Sequence, residues 1–146
     1  MSSSITTQGE KLMLDAMFGA QAVPANYYIG LSTTQPLEAG TSVTEPTIGV
    51  NGYARIAVPN GIGAGSFLAA VGGDPSSKKN DGVLAFPTAT GDWASAADFG
   101  WVVVFDHATA TTAINVIAYV QLTSTRKVLN TETFVIPDQE LNFTLD

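Results

Sequence analysis

The residues that could do chemistry in this chain are few, and each has a competing structural use. His107 is the single histidine and follows Asp106 directly. It is the one imidazole that could activate a serine or threonine, since a hydroxyl nucleophile needs a base in hydrogen-bond reach. Its setting, Asp106-His107-Ala108-Thr109, reads as an exposed polar turn instead. Asp92 and Asp98 bracket a turn-rich link and are the pair a glycosidase would require, two acids flanking a cleft. An aspartate after Gly91 and another just before an apolar run are, however, ordinary turn placements. Oxygen ligands for calcium could come from Asp74, Asp81, Asp92 or a loop carbonyl, but no D-x-D-x-D-G run organises them. The run Gly61-Ile62-Gly63-Ala64-Gly65 lacks the Lys-Ser/Thr pair and the following helix of a phosphate loop. Cysteine is absent, which removes thiolate metal sites, disulfides and thiol nucleophiles together. The reading is a noncatalytic protein with no cofactor and no metal site.

Trp93, Trp101, Tyr53 and Tyr119 would stack on sugar rings if they were exposed together. The favoured reading places them in a β core, with Trp101 inside WVVVF buried.

Composition narrows the partners. The formal charge is −7, which opposes nonspecific attraction to nucleic acid or to an anionic membrane. Only 13% of residues are charged, and small neutral residues fill much of the rest, giving a surface suited to lasting protein contact. No apolar run approaches the ~20 residues of a membrane-spanning helix. MSSSITTQGEKLML has no basic region followed by an apolar one, so synthesis and folding in a cytosol are expected. At 146 residues a single domain, 1–146, can bury roughly 68–70% of its unfolded surface without staples.

The elements centre on Val83 to Asp106, where apolar runs Val83 to Phe86 and Phe99 to Phe105 flank a link holding Pro87, Gly91 and Asp92. This is buried strand, turn-rich connection, buried strand. Upstream, Thr7-Gln8-Gly9-Glu10 fits a capping box and predicts a short helix to about Gly19. Its apolar stripe, Leu14, Met17 and Phe18 with Met13, is expected to pack on its own domain; a neighbouring subunit is the alternative. Further strands are expected over Tyr27 to Thr33, Tyr53 to Val58, Ala113 to Leu122, Thr131 to Ile136 and Leu141 to the C-terminus. Pro59 ends the second of these or places it at an edge. Residues 34–51 form a long polar loop. The glycine-rich segment 60–82 shows no sustained periodicity and reads as an exposed excursion that orders against a partner. The fold class is mainly β, an antiparallel sandwich of about seven strands with one short N-terminal helix.

Five motifs in order carry a family resemblance: YYIGLSTTQP from Tyr27, GYARIAV from Gly52, FPTATGDW from Phe86, FGWVVVFD from Phe99 and LNFTLD from Leu141. Together they span nearly the whole chain. The sequence resembles a family of small tailed-bacteriophage virion proteins commonly called phage tail fibre proteins. Their pattern is an N-terminal helix, a "YVALFT" strand, a "GYAR" strand, an "FP.ATG.WG" segment, an "FGIFD" strand and a terminal "LTVTLD" strand. Here Ala94 replaces a glycine, Trp101 and Val102 to Val104 lengthen the "FGIFD" strand, and 60–82 is longer.

The resemblance implies a structural component of a tailed phage particle, located in the virion and assembled in the host cytoplasm. Without heptads or a β-helical repeat, the chain is expected to be a compact module rather than a fibre shaft. The favoured placement is capsid decoration, a cement protein contacting the major capsid protein and stabilising the assembled particle by mass action. The alternative is a module on the tail, fibre or baseplate with carbohydrate or receptor recognition. Self-association, plausibly as a trimer, is expected. The lead 1–7 and the loop 60–82 are the candidate partner-contacting parts, with Ile5, Thr7, Ile62, Phe67, Leu68, Lys78 and Lys79 as contact residues.

Overall fold

Seven consecutive residues, Phe99–Phe105, form the most buried strand of the protein, with only Trp101 partly exposed. Burial on both sides explains why its sequence is a nearly continuous apolar run rather than an alternating one. In the computed structural model, which describes residues 3–94 and 96–145, the elements in chain order are β1 (Ser3–Ile5), α1 (Thr7–Phe18), β2 (Asn26–Ser32), β3 (Ile56–Pro59), β4 (Ser76–Lys79), β5 (Leu84–Ala85), β6 (Phe99–Phe105), β7 (Val116–Arg126), β8 (Val135–Ile136) and β9 (Asn142–Leu145).

A five-stranded antiparallel sheet, in the order β1-β7-β6-β2-β3, is the frame. Its register aligns Ile29 with Val104, Leu31 with Val102 and Val102 with Val120. Because side chains alternate across a strand, one face collects Ile29, Leu31, Val102, Val104, Ala118 and Val120 into the main core. Two ribbons, β5–β8 and β4–β9, contribute Leu84, Ile136 and Phe143 to that core. The opposite face buries Val103, Phe105 and Val116 beneath Tyr28 and Val43.

The expected fold class is correct: the protein is mainly β with one helix. The layer opposite the frame consists of two short ribbons, and nine strands are present among the described residues. β1 and β4 are the strands that sequence periodicity missed. β1 has three residues and β4 reads SSKK, so neither carries an apolar pattern. Pro59 does both things expected of it, closing β3 at the sheet edge.

Two local expectations are corrected. The helix is capped by Thr6, not Thr7: the Thr6 hydroxyl accepts from the Gly9 amide at 3.2 Å and donates to the Val116 and Ile117 carbonyls at 2.5 and 3.0 Å. Thr6 is fully buried against β7 and wins because it serves two elements at once. Gly9 is required there, since a Cβ would sit 2.2 Å from the Ile117 carbonyl oxygen. The second concerns 60–82, which is mostly exposed over 60–75, as expected, but is tied to its own fold. Phe67 bridges Ile62 and Asn80, Val71 bridges Ser77, and β4 pairs with β9. Asn80 is fully buried and anchors the segment through bonds to Gly82 O at 2.7 Å, Pro137 O at 3.0 Å and from Leu141 N at 2.9 Å. Its order comes from its own C-terminal strand.

Candidate interaction surface

The motif residues build an internal lock rather than a reactive site. Glu45, from the long loop before β3, receives Arg55 through two bonds, Nε to Oε1 at 2.9 Å and Nη2 to Oε2 at 2.7 Å. The third guanidinium nitrogen donates to the His107 carbonyl at 2.7 Å, and the plane lies 3.3 Å over the Phe105 ring. Tyr53 donates to Glu45 Oε1 at 2.7 Å and accepts from the Leu31 amide at 3.0 Å. Burial and the facing carboxylate hold the Tyr53 hydroxyl well above its ordinary pKa, because ionisation would place a second negative charge beside Glu45. The Arg55 side chain has no exposure, so the charge is compensated entirely from within.

This lock explains why the strand begins at Ile56 and not at Tyr53 as expected. The Tyr53 backbone bonds back to Gly49 and Val50 in a turn where Gly49, Asn51 and Gly52 have positive φ. Gly30 completes the arrangement, since a Cβ there would lie 2.5 Å from Glu45 Oε1.

The FPTATGDW segment docks on the same turn. The Trp93 indole donates to the Asn51 carbonyl at 2.8 Å, and its ring meets Tyr53 edge-on at 5.0 Å. Phe86 stacks on Tyr53 at 6.2 Å and meets Phe134 at 5.7 Å. Tyr53, Trp93 and Tyr119 are therefore core residues, as expected. Trp101 departs from expectation: it is partly exposed, edge-on to Tyr119 at 5.8 Å. These four aromatics do not form one exposed platform for sugar stacking.

The residues with catalytic potential have structural partners. His107 Nδ1 accepts from the Thr109 and Ala110 amides at 3.1 and 3.0 Å, shaping its own turn. Asp92 accepts from the Asn130 amide at 2.9 Å, and Asp98 from Thr125 at 3.5 Å. Among the described residues, no group of three or more His, Cys, Asp or Glu is placed to hold a metal ion. No described helix is long and apolar enough to cross a membrane.

The predicted contact residues are scattered. Ile62 and Thr7 are exposed, while Ile5, Leu68, Lys78 and Lys79 are half-buried. Phe67 is buried in the main core, where Lys78 lies 5.7 Å over its ring and bonds to the Leu68 carbonyl at 3.1 Å. As a solvent-facing contact residue Phe67 is thus corrected. Its apolar surface is already spent on the fold. Within the lead, Met1 and Ser2 lie outside the described residues.

An exposed apolar stripe lies on α1. Leu14, Met17 and Phe18 are 59%, 70% and 80% exposed, so the stripe expected to pack on its own domain faces outward. The clamp at Thr6 and Gly9 sets the helix rotation and turns the opposite face toward the sheet. Beside α1 runs a groove of about 440 Å³, walled by Leu12, Met13, Met17, Phe67, Phe143 and Leu145.

Against known families, residues 4–144 match the model described as podophage GP4 fiber I protein gp80. The chain belongs to this phage fibre family. The resemblance read from the five motifs is therefore correct, and the match runs from β1 to β9. A phage fibre family is a family of virion components. No curated protein matches the chain.

Proposed function

We propose that the protein is a noncatalytic structural module of the phage tail, carried on a fibre or baseplate and assembled on the virion in the host cytoplasm. One observation carries this reading: the fibre family spans residues 4–144, so the whole described fold is the family's fold. That favours the tail over capsid decoration, the placement first expected. A structural role is supported by the use of His107 Nδ1 and Asp92 as hydrogen-bond acceptors for nearby backbone amides. It is further supported by the exposed apolar face of α1, which suits protein contact.

Cosedimentation of the purified protein with separated tails and separated capsids of the same phage tests the placement. Saturable binding to tails at a few copies per particle is expected. Saturable binding to capsids at lattice-like copy number, with none to tails, would restore the decoration reading and overturn this one.

A further inference from the structure

We infer that Asn60-Gly61 is a modification site, at which the asparagine deamidates spontaneously in the folded protein and releases the connector between α1 and β2. The inference does not depend on where the module sits on the virion.

The chain contains two Asn-Gly steps, Asn51-Gly52 and Asn60-Gly61. Glycine favours the reaction because, without a Cβ, its backbone nitrogen swings readily onto the preceding side chain. At the second step the Gly61 amide nitrogen gives its proton to water and attacks Asn60 Cγ. The Cγ–Nδ2 bond then breaks, and ammonia leaves with the returned proton. Water opens the resulting five-membered succinimide at either carbonyl, giving an aspartate or its isoaspartyl isomer. The net change is amide plus water to acid plus ammonia, with no oxidant or cofactor.

Exposure does not separate the two steps, because both asparagines reach solvent. Packing does. The Asn51 carboxamide donates to the Asp92 carbonyl at 2.8 Å, and the Asn51 carbonyl accepts from Thr90 N at 3.0 Å and Trp93 Nε1 at 2.8 Å. The backbone at Gly91 presses on that carboxamide, so that a Cβ there would lie 2.7 Å from Asn51 Cγ. Asn51 and Gly52 are both held at positive φ, and a Cβ on Gly52 would lie 3.1 Å from the Thr88 carbonyl oxygen. Neither reacting group of this step turns without undocking the FPTATGDW segment. Asn60 is held far less. Its carboxamide has one partner, the Pro24 carbonyl at 3.0 Å. A Cβ on Gly61 would meet only Ser66 Oγ, at 3.7 Å, and Gly61 lies outside the left-handed region. The one tie on Gly61 is its carbonyl, which accepts from Ser66 Oγ at 2.9 Å.

The consequence falls on the connector 19–25. Asn60 holds it to the end of β3 by two bonds, from its backbone nitrogen to Ala25 O at 2.9 Å and from Nδ2 to Pro24 O at 3.0 Å. An ionised carboxylate is acceptor-only, so deamidation removes the second bond and sets a negative charge against the Pro24 carbonyl oxygen. The break lies between the helix and the sheet.

Tryptic mapping of the full chain, aged at physiological temperature and mildly alkaline pH, tests the site. Cleavage after Arg55 and Lys78 leaves Asn60 as the only asparagine of residues 56–78, while Asn51 falls in 12–55. Acid products at residue 60 should form at least about tenfold faster than at residue 51, a barrier difference of about 1.4 kcal/mol. In urea, which opens both steps, the difference should vanish. Gly61→Ala, for which there is room, should slow conversion at residue 60 at least about tenfold. Asn60→Asp, which carries the product charge from the start, should lower the melting temperature by about 2–4 °C, the loss of one net hydrogen bond. Conversion at residue 60 no faster than at 51, a difference that persists in urea, or indifference to Gly61→Ala would each overturn the site. A melting temperature for Asn60→Asp within about 1 °C of the wild type, the scale of an ordinary surface change, would overturn the release of the connector.

Discussion

Replacing Glu45 with glutamine isolates the charge of the buried lock without changing its shape. Glutamine keeps one acceptor for Tyr53 or Arg55 Nε but leaves the guanidinium without a counter-charge, and the Arg55 side chain has no solvent exposure through which water could compensate. Removing one partner of a buried ion pair costs about 3–5 kcal/mol, because the remaining charge is desolvated and unpaired. Near 150 residues each kcal/mol shifts the melting temperature by about 2–4 °C, so Glu45→Gln should lower it by roughly 6–20 °C. The double variant Glu45→Leu with Arg55→Met removes both charges. It should recover most of the loss, since apolar replacement of a whole buried pair is often neutral or stabilising. Urea unfolding followed by tryptophan emission is the assay; Trp93 packs on Tyr53 at 5.0 Å and reports on the lock directly. A Glu45→Gln loss under about 1 kcal/mol, the scale of a solvent-screened pair, would refute the reasoning. So would a double variant as unstable as the single.

Two further outcomes follow from the same geometry. Phe67→Ala should cost about 3–5 kcal/mol of stability, whereas exposed Ile62→Ala should change it by under about 0.5 kcal/mol; equal small effects in urea unfolding would show 60–82 to be a dispensable loop after all. Alkaline pH should destabilise the fold through Tyr53, whose hydroxyl is held above its ordinary pKa by burial and Glu45. The unfolded chain releases this proton near pH 10 while the folded chain retains it, so the stabilising contribution is complete below pH 10 and falls as pH rises beyond it. Tyr53→Phe should flatten that decline in pH-dependent melting, and a decline of unchanged slope would assign it to other groups.

How much was legible depended on whether a residue's partner lay nearby in sequence. β2, β6 and the β9 alternation could be read because their apolar residues repeat locally, and Pro59 left two readings for β3, an end or an edge, of which the structure shows both. The lock could not. GYAR was visible as a strand with one polar side, but the partner Glu45 sat in a polar loop among other unremarkable residues. An arginine inside a run read as a half-apolar strand, Tyr53 to Val58, was the available signal that a carboxylate had to be found. Segment 60–82 was read as open for a related reason: Asn80 is satisfied by Pro137 and Leu141, far along the chain.

The sequence by itself determined a mainly β, cysteine-free, acidic domain and its fibre family, because composition, period and ordered motifs are properties of the chain alone. Only the tertiary structure decided which way the helix faces. Leu14, Met17 and Phe18 form an apolar stripe whichever way α1 is turned, and periodicity cannot distinguish a stripe facing inward from one facing outward. The rotation is set by Thr6 bonding to β7 and by Gly9 pressed against the Ile117 carbonyl. Those contacts span more than 100 residues of sequence, and they leave the stripe exposed.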